Sequence, residues 1–111
     1  MALINILHKN TGAVLYTTTV DNLRKAVEAA VRAGTSLANA DLAGQDLRGA
    51  NLEGGTFTSA NCKGTLFDNA VLRGADFSSA TLTNASMKDV LSHKMNTSGA
   101  ETTNLTHQKR D

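Results

Sequence analysis

The stretch ADLAGQDLRGANLEG, residues 40–54, repeats a unit of five residues, and the same period extends beyond it in both directions. Every fifth residue from Leu37 to Met87 is apolar, at eleven positions in a row. Two residues before each of these centres the chain holds Ala in seven of eleven cases, and two residues after each centre it favours Gly, Asn and Ser, which tolerate turn conformations. A helix repeats near 3.6 residues and a strand every 2. The pattern therefore predicts a coil of short extended pieces and corners, with one large and one small residue pointing inward.

Residues 40–54 and residues 70–86 resemble the pentapeptide-repeat family, whose unit is A(D/N)LXX. The resemblance extends over Thr35 to Asp89. The resemblance implies a mainly β fold, a right-handed quadrilateral β-helix with four pentapeptides in each coil. The eleven units would form about 2.75 coils, about 13 Å tall at the usual spacing of stacked strands. Stacking of the coils predicts four inner columns: Leu37, Phe57 and Phe77; Leu42, Cys62 and Leu82; Leu47, Phe67 and Met87; Leu52 and Leu72.

Composition supports a narrow core. The chain has 111 residues, which indicates one domain, and only 4% of them are aromatic, so a column of Ala beside Leu or Phe is a way to fill the interior. The net charge of +1 gives no strong field for nucleic acid or an anionic membrane. No apolar run approaches the length of a membrane span. A single Cys cannot form an internal disulfide, so we expect a cytoplasmic protein.

Residues 1–34 are predicted to form an N-terminal β-hairpin and a capping helix. Leu3–His8 and Ala13–Thr19 are rich in strand-forming residues and are joined by a turn sequence. Asp21 is the expected helix N-cap and Gly34 the expected C-terminal stop. Hairpin, helix and then pentapeptides is an order that resembles small pentapeptide-repeat proteins of phage and prophage type.

Residues 90–111 are predicted to be a C-terminal cap or tail, poorly packed beyond Asn96. Some family members dimerise through this end, so a homodimer is one possibility that the resemblance implies. Four apolar residues are expected either to close the β-helix with a helical turn or to form a self-association surface: Met87, Val90, Leu91 and Met95.

No constellation of residues predicts catalysis, a metal site or a cofactor. Cys62 is at an inward position, where a thiol is buried rather than reactive. The three His residues have no ligand spacing, and no phosphate-binding glycine motif occurs. Gln45 and Thr65 replace the small residue on one inner corner, and we expect them to hydrogen-bond to each other or to the backbone.

The outward positions hold the candidates for binding. Leu66 and Val71 stand where other repeats have Asp, Asn, Ser or Thr, and we predict that they form a protein contact or pack under the tail. The coil also predicts two ladders of alternating charge, which either hold the coils in register or recognise a partner: Arg48, Asp68 and Lys88, and Glu53 with Arg73.

Four functions follow in order of preference. The first is a non-catalytic protein-binding module, a phage-type inhibitor or adaptor that acts on a host defence or DNA-handling complex such as a CRISPR effector, with a host or phage protein as partner. The second is a DNA mimic that binds gyrase, a type II topoisomerase. Residues 35–89 hold six acidic and four basic residues, too balanced for DNA. The third is an assembly module that oligomerises through its ends, and the last is an enzyme.

Overall fold

The computed structural model describes all 111 residues, and its first 34 form a hairpin and a helix. Strands β1 (Ala2–Leu7) and β2 (Val14–Val20) pair antiparallel, with a register shift between Ile6 and Leu7. Helix α1 spans Leu23–Arg32. These elements agree with the sequence prediction to within one residue at each strand end. At ten residues, α1 is too short and too polar to cross a membrane, and there is no other helix.

The predicted N-cap of α1 is wrong by one residue, whereas the predicted C-terminal stop is present. Asn22, not Asp21, is the N-cap, and its Oδ1 accepts a hydrogen bond from the Lys25 N–H at 2.9 Å. Asp21 instead pairs with the ammonium of Lys25 at 3.6 Å. The C-terminal prediction is confirmed. Gly34 has φ +75, and its N–H donates to the Val31 carbonyl at 3.0 Å, as in the usual left-handed helix stop.

After α1 the backbone coils with a repeat of 20 residues. Parallel bridges join outward residues 20 positions apart, beginning with Asp41 and Asn61 and advancing by five residues at a time. Hydrogen bonds alternate in direction between coils: the Leu47 N–H donates to the Leu66 carbonyl at 2.8 Å, and the Leu66 N–H donates to the Gln45 carbonyl at 3.0 Å. Every corner residue from Asn39 to Asn104 in the five-residue register has positive φ, which confirms the corner prediction.

The core is the set of inner columns. All eleven centres from Leu37 to Met87 are buried, and so are the Ala residues beside them. The rings of Phe57 and Phe77 stack one coil apart, with centroids 4.8 Å apart and planes 8° from parallel. Phe67 meets Phe77 edge to face at 5.5 Å. Aromatic side chains in both preferred geometries therefore fill the middle of a core otherwise made of Leu and Ala.

Helix α1 packs on the first coil. Ala26, Val27 and Ala30 are fully buried and belong to the same apolar cluster as the coil residues. Gly55 is at an inner position that usually holds Ala. A Cβ there would lie 2.5 Å from Phe57 Cε2 and 3.1 Å from Val31 Cγ2, so the Phe57 ring and the helix occupy the space of the missing methyl group.

Polar groups close the exposed edge of the first coil. The carboxylate of Glu28 on α1 accepts a hydrogen bond from the Asn51 N–H at 2.8 Å. The Leu7 carbonyl at the end of β1 accepts from the Asp41 N–H at 2.8 Å. Backbone donors that have no preceding coil are thus paired by the hairpin and helix, which lowers the cost of ending a sheet.

The C-terminal segment differs from the prediction. Residues 90–109 do not form a helical turn; they continue the coil, with bridges from Val71 to Leu91 and from Thr81 to Glu101. No residue beyond Val90 is fully buried, so the predicted poor packing beyond Asn96 is confirmed. Strands β3 (Ser86–Val90) and β4 (Thr106–Lys109) pair in parallel on this last turn. The apolar centres end at Met87, and their places are taken by polar residues: Ser92, Thr97, Thr102 and His107. The backbone keeps its path because the corners and the coil-to-coil hydrogen bonds persist.

Gln45 and Thr65 were both predicted to point inward, and the prediction is correct for Thr65 only. Thr65 is fully buried, and its hydroxyl donates to the Leu42 carbonyl at 2.7 Å, so its burial leaves no unpaired polar group. Gln45 is exposed, and its predicted inward orientation is wrong. Gln45 is in the first coil, and its side chain reaches water instead of the interior.

Candidate protein-binding surface

The outward position before each centre often holds Asp or Asn, and these side chains form a hydrogen bond with the backbone of their own repeat. Six repeats hold Asp or Asn there, and in each the side-chain Oδ1 accepts a hydrogen bond from the backbone N–H two residues later, at 2.8–3.4 Å. The shortest example joins Asp76 Oδ1 and the Ser78 N–H at 2.8 Å, and hydrogen bonds from the side chain and the backbone N–H of Ser78 hold the pKa of Asp76 below its usual value. Asp and Asn at this position therefore satisfy an outward-facing donor of their own coil.

Leu66, Val71 and Leu91 occupy the same position and have no acceptor to offer. All three are half-buried. Leu66 lies between Asp46 and Ser86 in its ladder, whereas Val71 bridges directly to Leu91 on the next coil. Leu91 is a third apolar departure from this pattern, and it lies beyond Asp89, the end of the predicted repeat.

The two predicted charge ladders do not form ion pairs between coils. Arg48 pairs within its own repeat: its Nε and Nη2 donate to the Asp46 carboxylate at 2.9 and 2.8 Å. The side-chain hydrogen bond from Arg48 lowers the pKa of Asp46 to about 2. No oppositely charged group lies within ion-pair distance of Glu53 or Arg73.

Asp68 does link two coils, through hydrogen bonds rather than an ion pair. Its Oδ1 accepts from the Ser86 hydroxyl at 2.6 Å and from the Lys88 N–H at 3.0 Å. Desolvation alone would raise the pKa of Asp68, but these two bonds outweigh it and lower the pKa. Asp68 thus contributes to coil register, as the ladder hypothesis required, although its partners are the hydroxyl and backbone groups of the next coil.

The residues proposed for self-association separate into two groups. Met87 and Val90 are fully buried inside the chain, so they are not available to a second copy and their grouping as a surface is wrong. Leu91 and Met95 are half-buried and lie on the last coil. The error follows from treating residues 87–95 as a helical turn, in which all four would have shared one face.

The remaining candidate for chemistry is Cys62, which is fully buried. Burial raises the pKa of its thiol to about 12, so the neutral thiol dominates at neutral pH. No group of three metal-ligating side chains comes together anywhere in the chain.

The five-residue repeat, the 20-residue coil and the inner columns define a pentapeptide-repeat β-helix. The sequence model described as Pentapeptide repeats matches residues 33–61 and 56–89, about half of the chain, with eight copies. The chain belongs to the pentapeptide-repeat family, which implies a right-handed quadrilateral β-helix.

Solved structures similar to this chain include two pentapeptide repeat proteins. One is HetL, a pentapeptide repeat protein involved in heterocyst differentiation regulation from the cyanobacterium Nostoc sp. strain PCC 7120, at 24% identity and a TM-score of 0.38, covering 60% of this chain and 38% of HetL. The other is a pentapeptide repeat protein from the thylakoid lumen of Arabidopsis thaliana, at 23% identity and a TM-score of 0.31, covering 59% of each chain. This chain thus aligns with less than two thirds of either structure. The comparison with curated proteins found no match.

Proposed function

We propose that this pentapeptide-repeat protein is a non-catalytic protein-binding module that presents Leu66 and Val71 to one partner protein. Pentapeptide-repeat proteins are often protein-interaction modules. In this proposal the hairpin and α1 cover the first coil, and the outward face around Leu66 and Val71 makes the contact. The proposed partner is a host or phage protein, met in the cytoplasm, and belongs to a defence or DNA-handling complex.

The observation that supports the proposal is the exchange of a hydrogen-bond acceptor for an apolar side chain. At Leu66 and Val71 the coil lacks the Asp or Asn whose Oδ1 pairs the outward N–H in six other repeats. An intramolecular hydrogen bond of this kind contributes about 0.5–1.5 kcal/mol, so the two apolar residues forgo stability that Asp or Asn would provide. Neither side chain is fully buried in return. Contact with a partner would recover the apolar burial that the isolated chain lacks.

The charge distribution favours this proposal over DNA mimicry. The coiled backbone extends to residue 109, so residues 36–109 hold seven acidic and six basic residues. Duplex DNA carries one negative charge for about every 1.7 Å of its axis, with no positive charge. The longer coil is therefore even closer to neutral than residues 35–89 alone, and we do not retain the gyrase hypothesis.

The test compares Leu66→Asp with a matched control, Thr81→Asp. Thr81 occupies the same position of the repeat on another face and is also half-buried. An affinity-tagged chain is used to capture proteins from a bacterial lysate, and mass spectrometry identifies them. We expect one protein that binds the unchanged chain and Thr81→Asp but not Leu66→Asp, with similar melting temperatures for all three. Retention of that protein by Leu66→Asp would contradict the proposal.

A structural role through end-to-end association is the second candidate, and one observation favours it. Backbone N–H groups of the last coil, such as those of Thr97 and Thr102, have no acceptor and form an open edge. Light scattering at high concentration distinguishes the two candidates. A mass of twice 11.6 kDa supports association, and a value of 11.6 kDa excludes it.

A further inference from the structure

A cavity of about 320 Å³ opens at the last coil, where Arg73 and His93 each lie two residues after the bridged pair Val71 and Leu91. Its lining contains no apolar residue: Arg73, Ser92, His93, Lys94, Lys109 and Asp111. Two Lys and one Arg surround one side-chain carboxylate, that of Asp111, so the side chains of the lining carry net positive charge. Most of these residues lie in the segment predicted to be a C-terminal cap or tail, so the sequence pattern did not indicate this cavity.

The cavity already binds a carboxylate. Asp111 Oδ1 accepts a hydrogen bond from the Ser92 N–H at 3.1 Å, and Oδ2 accepts from the His93 N–H at 2.8 Å. The hydrogen bond from the Ser92 N–H lowers the pKa of Asp111. In the preceding coil, the equivalent N–H of Leu72 donates to the Leu91 carbonyl at 2.7 Å. The Asp111 carboxylate thus takes the place that the carbonyl of a further coil would fill.

A second donor in the same wall has no acceptor. The N–H of Arg73 is at the position that Asp or Asn pairs in other repeats, but Val71 offers no oxygen, and no backbone carbonyl accepts from it either. Arg73 is one coil above His93, at a spacing of about 4.8 Å between stacked strands. Two backbone donors one coil apart therefore flank the apolar pair Val71 and Leu91, and only one of them is occupied.

We infer that this cavity binds an acidic segment of a partner protein, in which neighbouring carboxylates pair with the N–H groups of Arg73 and His93 while an apolar side chain packs on Val71 and Leu91. The inference rests on the proposed protein-binding role and adds the chemistry of the partner. Charge complementarity supports it, since the cavity presents three basic side chains, those of Arg73, Lys94 and Lys109. Asp111 occupies one of the two positions and competes with the partner for it.

The experiment is a titration followed by NMR, with the amide signals of Arg73, Ser92 and His93 as reporters. The probe is a blocked peptide of sequence Leu-Asp-Glu-Asp-Leu, and the control peptide is Leu-Asn-Gln-Asn-Leu. We expect the acidic peptide alone to shift these signals. The substitution Asp111→Asn should lower the Kd of the acidic peptide about threefold, because the side chain that competes for the His93 N–H loses its negative charge.

Two further variants separate the cavity from general electrostatics. The double variant Arg73→Gln with Lys94→Gln should weaken binding of the acidic peptide about tenfold, as expected for loss of two nearby cations. Lys63→Gln removes one exposed cation from another face and should leave the Kd unchanged. Equal weakening by Lys63→Gln would mean that the peptide responds to net charge and not to the cavity.

Other outcomes would also overturn the inference. If the acidic peptide leaves the three amide signals unchanged in Asp111→Asn, the cavity does not bind carboxylates from outside. If inorganic phosphate shifts them at the same concentration as the peptide, the cavity binds free anions and not a peptide segment. The peptide titration does not depend on the lysate capture with Leu66→Asp, so failure of the inference and failure of the proposed function give different results.

Discussion

Gly55→Ala is expected to destabilise the protein, although Ala is the commonest residue at this position of the repeat. A Gly-to-Ala change at an ordinary backbone conformation usually stabilises by about 0.4–1 kcal/mol, because the unfolded chain loses freedom. Here the added Cβ would lie 2.5 Å from Phe57 Cε2 and 3.1 Å from both the Leu52 carbonyl oxygen and Val31 Cγ2. Phe57 cannot move away easily, since its ring is stacked on Phe77.

The magnitude follows from these opposing effects. Forcing an extra methyl group into a packed site costs about 1–3 kcal/mol, which exceeds the gain in chain entropy. A net loss of about 1–2 kcal/mol corresponds to a fall of about 4–8 °C in melting temperature for a domain of this size. Thermal melting and urea unfolding, both followed by circular dichroism, measure the two quantities.

Two variants test the reasoning behind the number. Gln45→Ala introduces the same consensus residue at an equivalent but exposed position and should change the stability by less than about 0.5 kcal/mol. Phe57→Leu shortens the side chain that blocks the methyl group, so its cost should be smaller in the Gly55→Ala background than alone. A rise in melting temperature with Gly55→Ala would refute the proposed clash.

Three further predictions concern the thiol, the corners and pH. Cys62 should react with a thiol reagent only after denaturant is added, and rapid labelling of the folded protein would show that the column is misassigned. Ser79→Gly should stabilise by about 0.5–1 kcal/mol, because Ser79 has φ +59, whereas Ser78→Gly next to it should destabilise by a similar amount in urea unfolding. Asp68 has a lowered pKa, so its stabilising effect is present above the unfolded value of about 3.9 and is lost as pH falls through the folded value. Asp68→Asn should therefore be less stable than the unchanged chain at pH 7 but equally stable near about pH 2, and an equal deficit at both values would exclude this role.

The fold was predictable because one feature recurs in three registers. The centres, the small residues and the corners each identify the five-residue period independently, so an isolated exception such as Cys62 does not hide it. The hairpin and α1 were also predictable, since alternating strand residues and one apolar helical face are local signals. The N-cap was missed by one residue because both Asp21 and Asn22 are good capping residues, and only the backbone conformation distinguishes them.

The last coil was not predictable by the same reasoning. Its inner centres are Ser, Thr and His, so the apolar signal ends at Met87 while the backbone path continues. The corner register persists, with Gly99 and Asn104 in place, and was the signal that could have extended the prediction. Because the last coil was not predicted, the cavity near Leu91 was not predicted either. The walls of this cavity come from two successive coils.

The candidate surface was partly predictable. Leu66 and Val71 were found as departures from a composition rule, but the reason for that rule, an oxygen that pairs the N–H two residues later, is visible only in three dimensions. The charge ladders were overestimated because sequence spacing places side chains in a column without fixing their direction. Arg48 turns toward Asp46 in its own repeat, where the two groups meet at 2.8 Å.

The centres of the repeats change from Leu and Phe to Ser and Thr toward the C-terminus. The resistance of the backbone to local unfolding therefore differs along the axis of the β-helix. Each coil contacts only its neighbours, so its resistance to opening depends on its own inner side chains and on the coil beside it. The coils that contain Phe57 and Phe77 are held by stacked rings, whereas Thr102 and His107 are exposed and hold little apolar area. We therefore expect fraying to begin at the C-terminal turn and to stop at the aromatic stack.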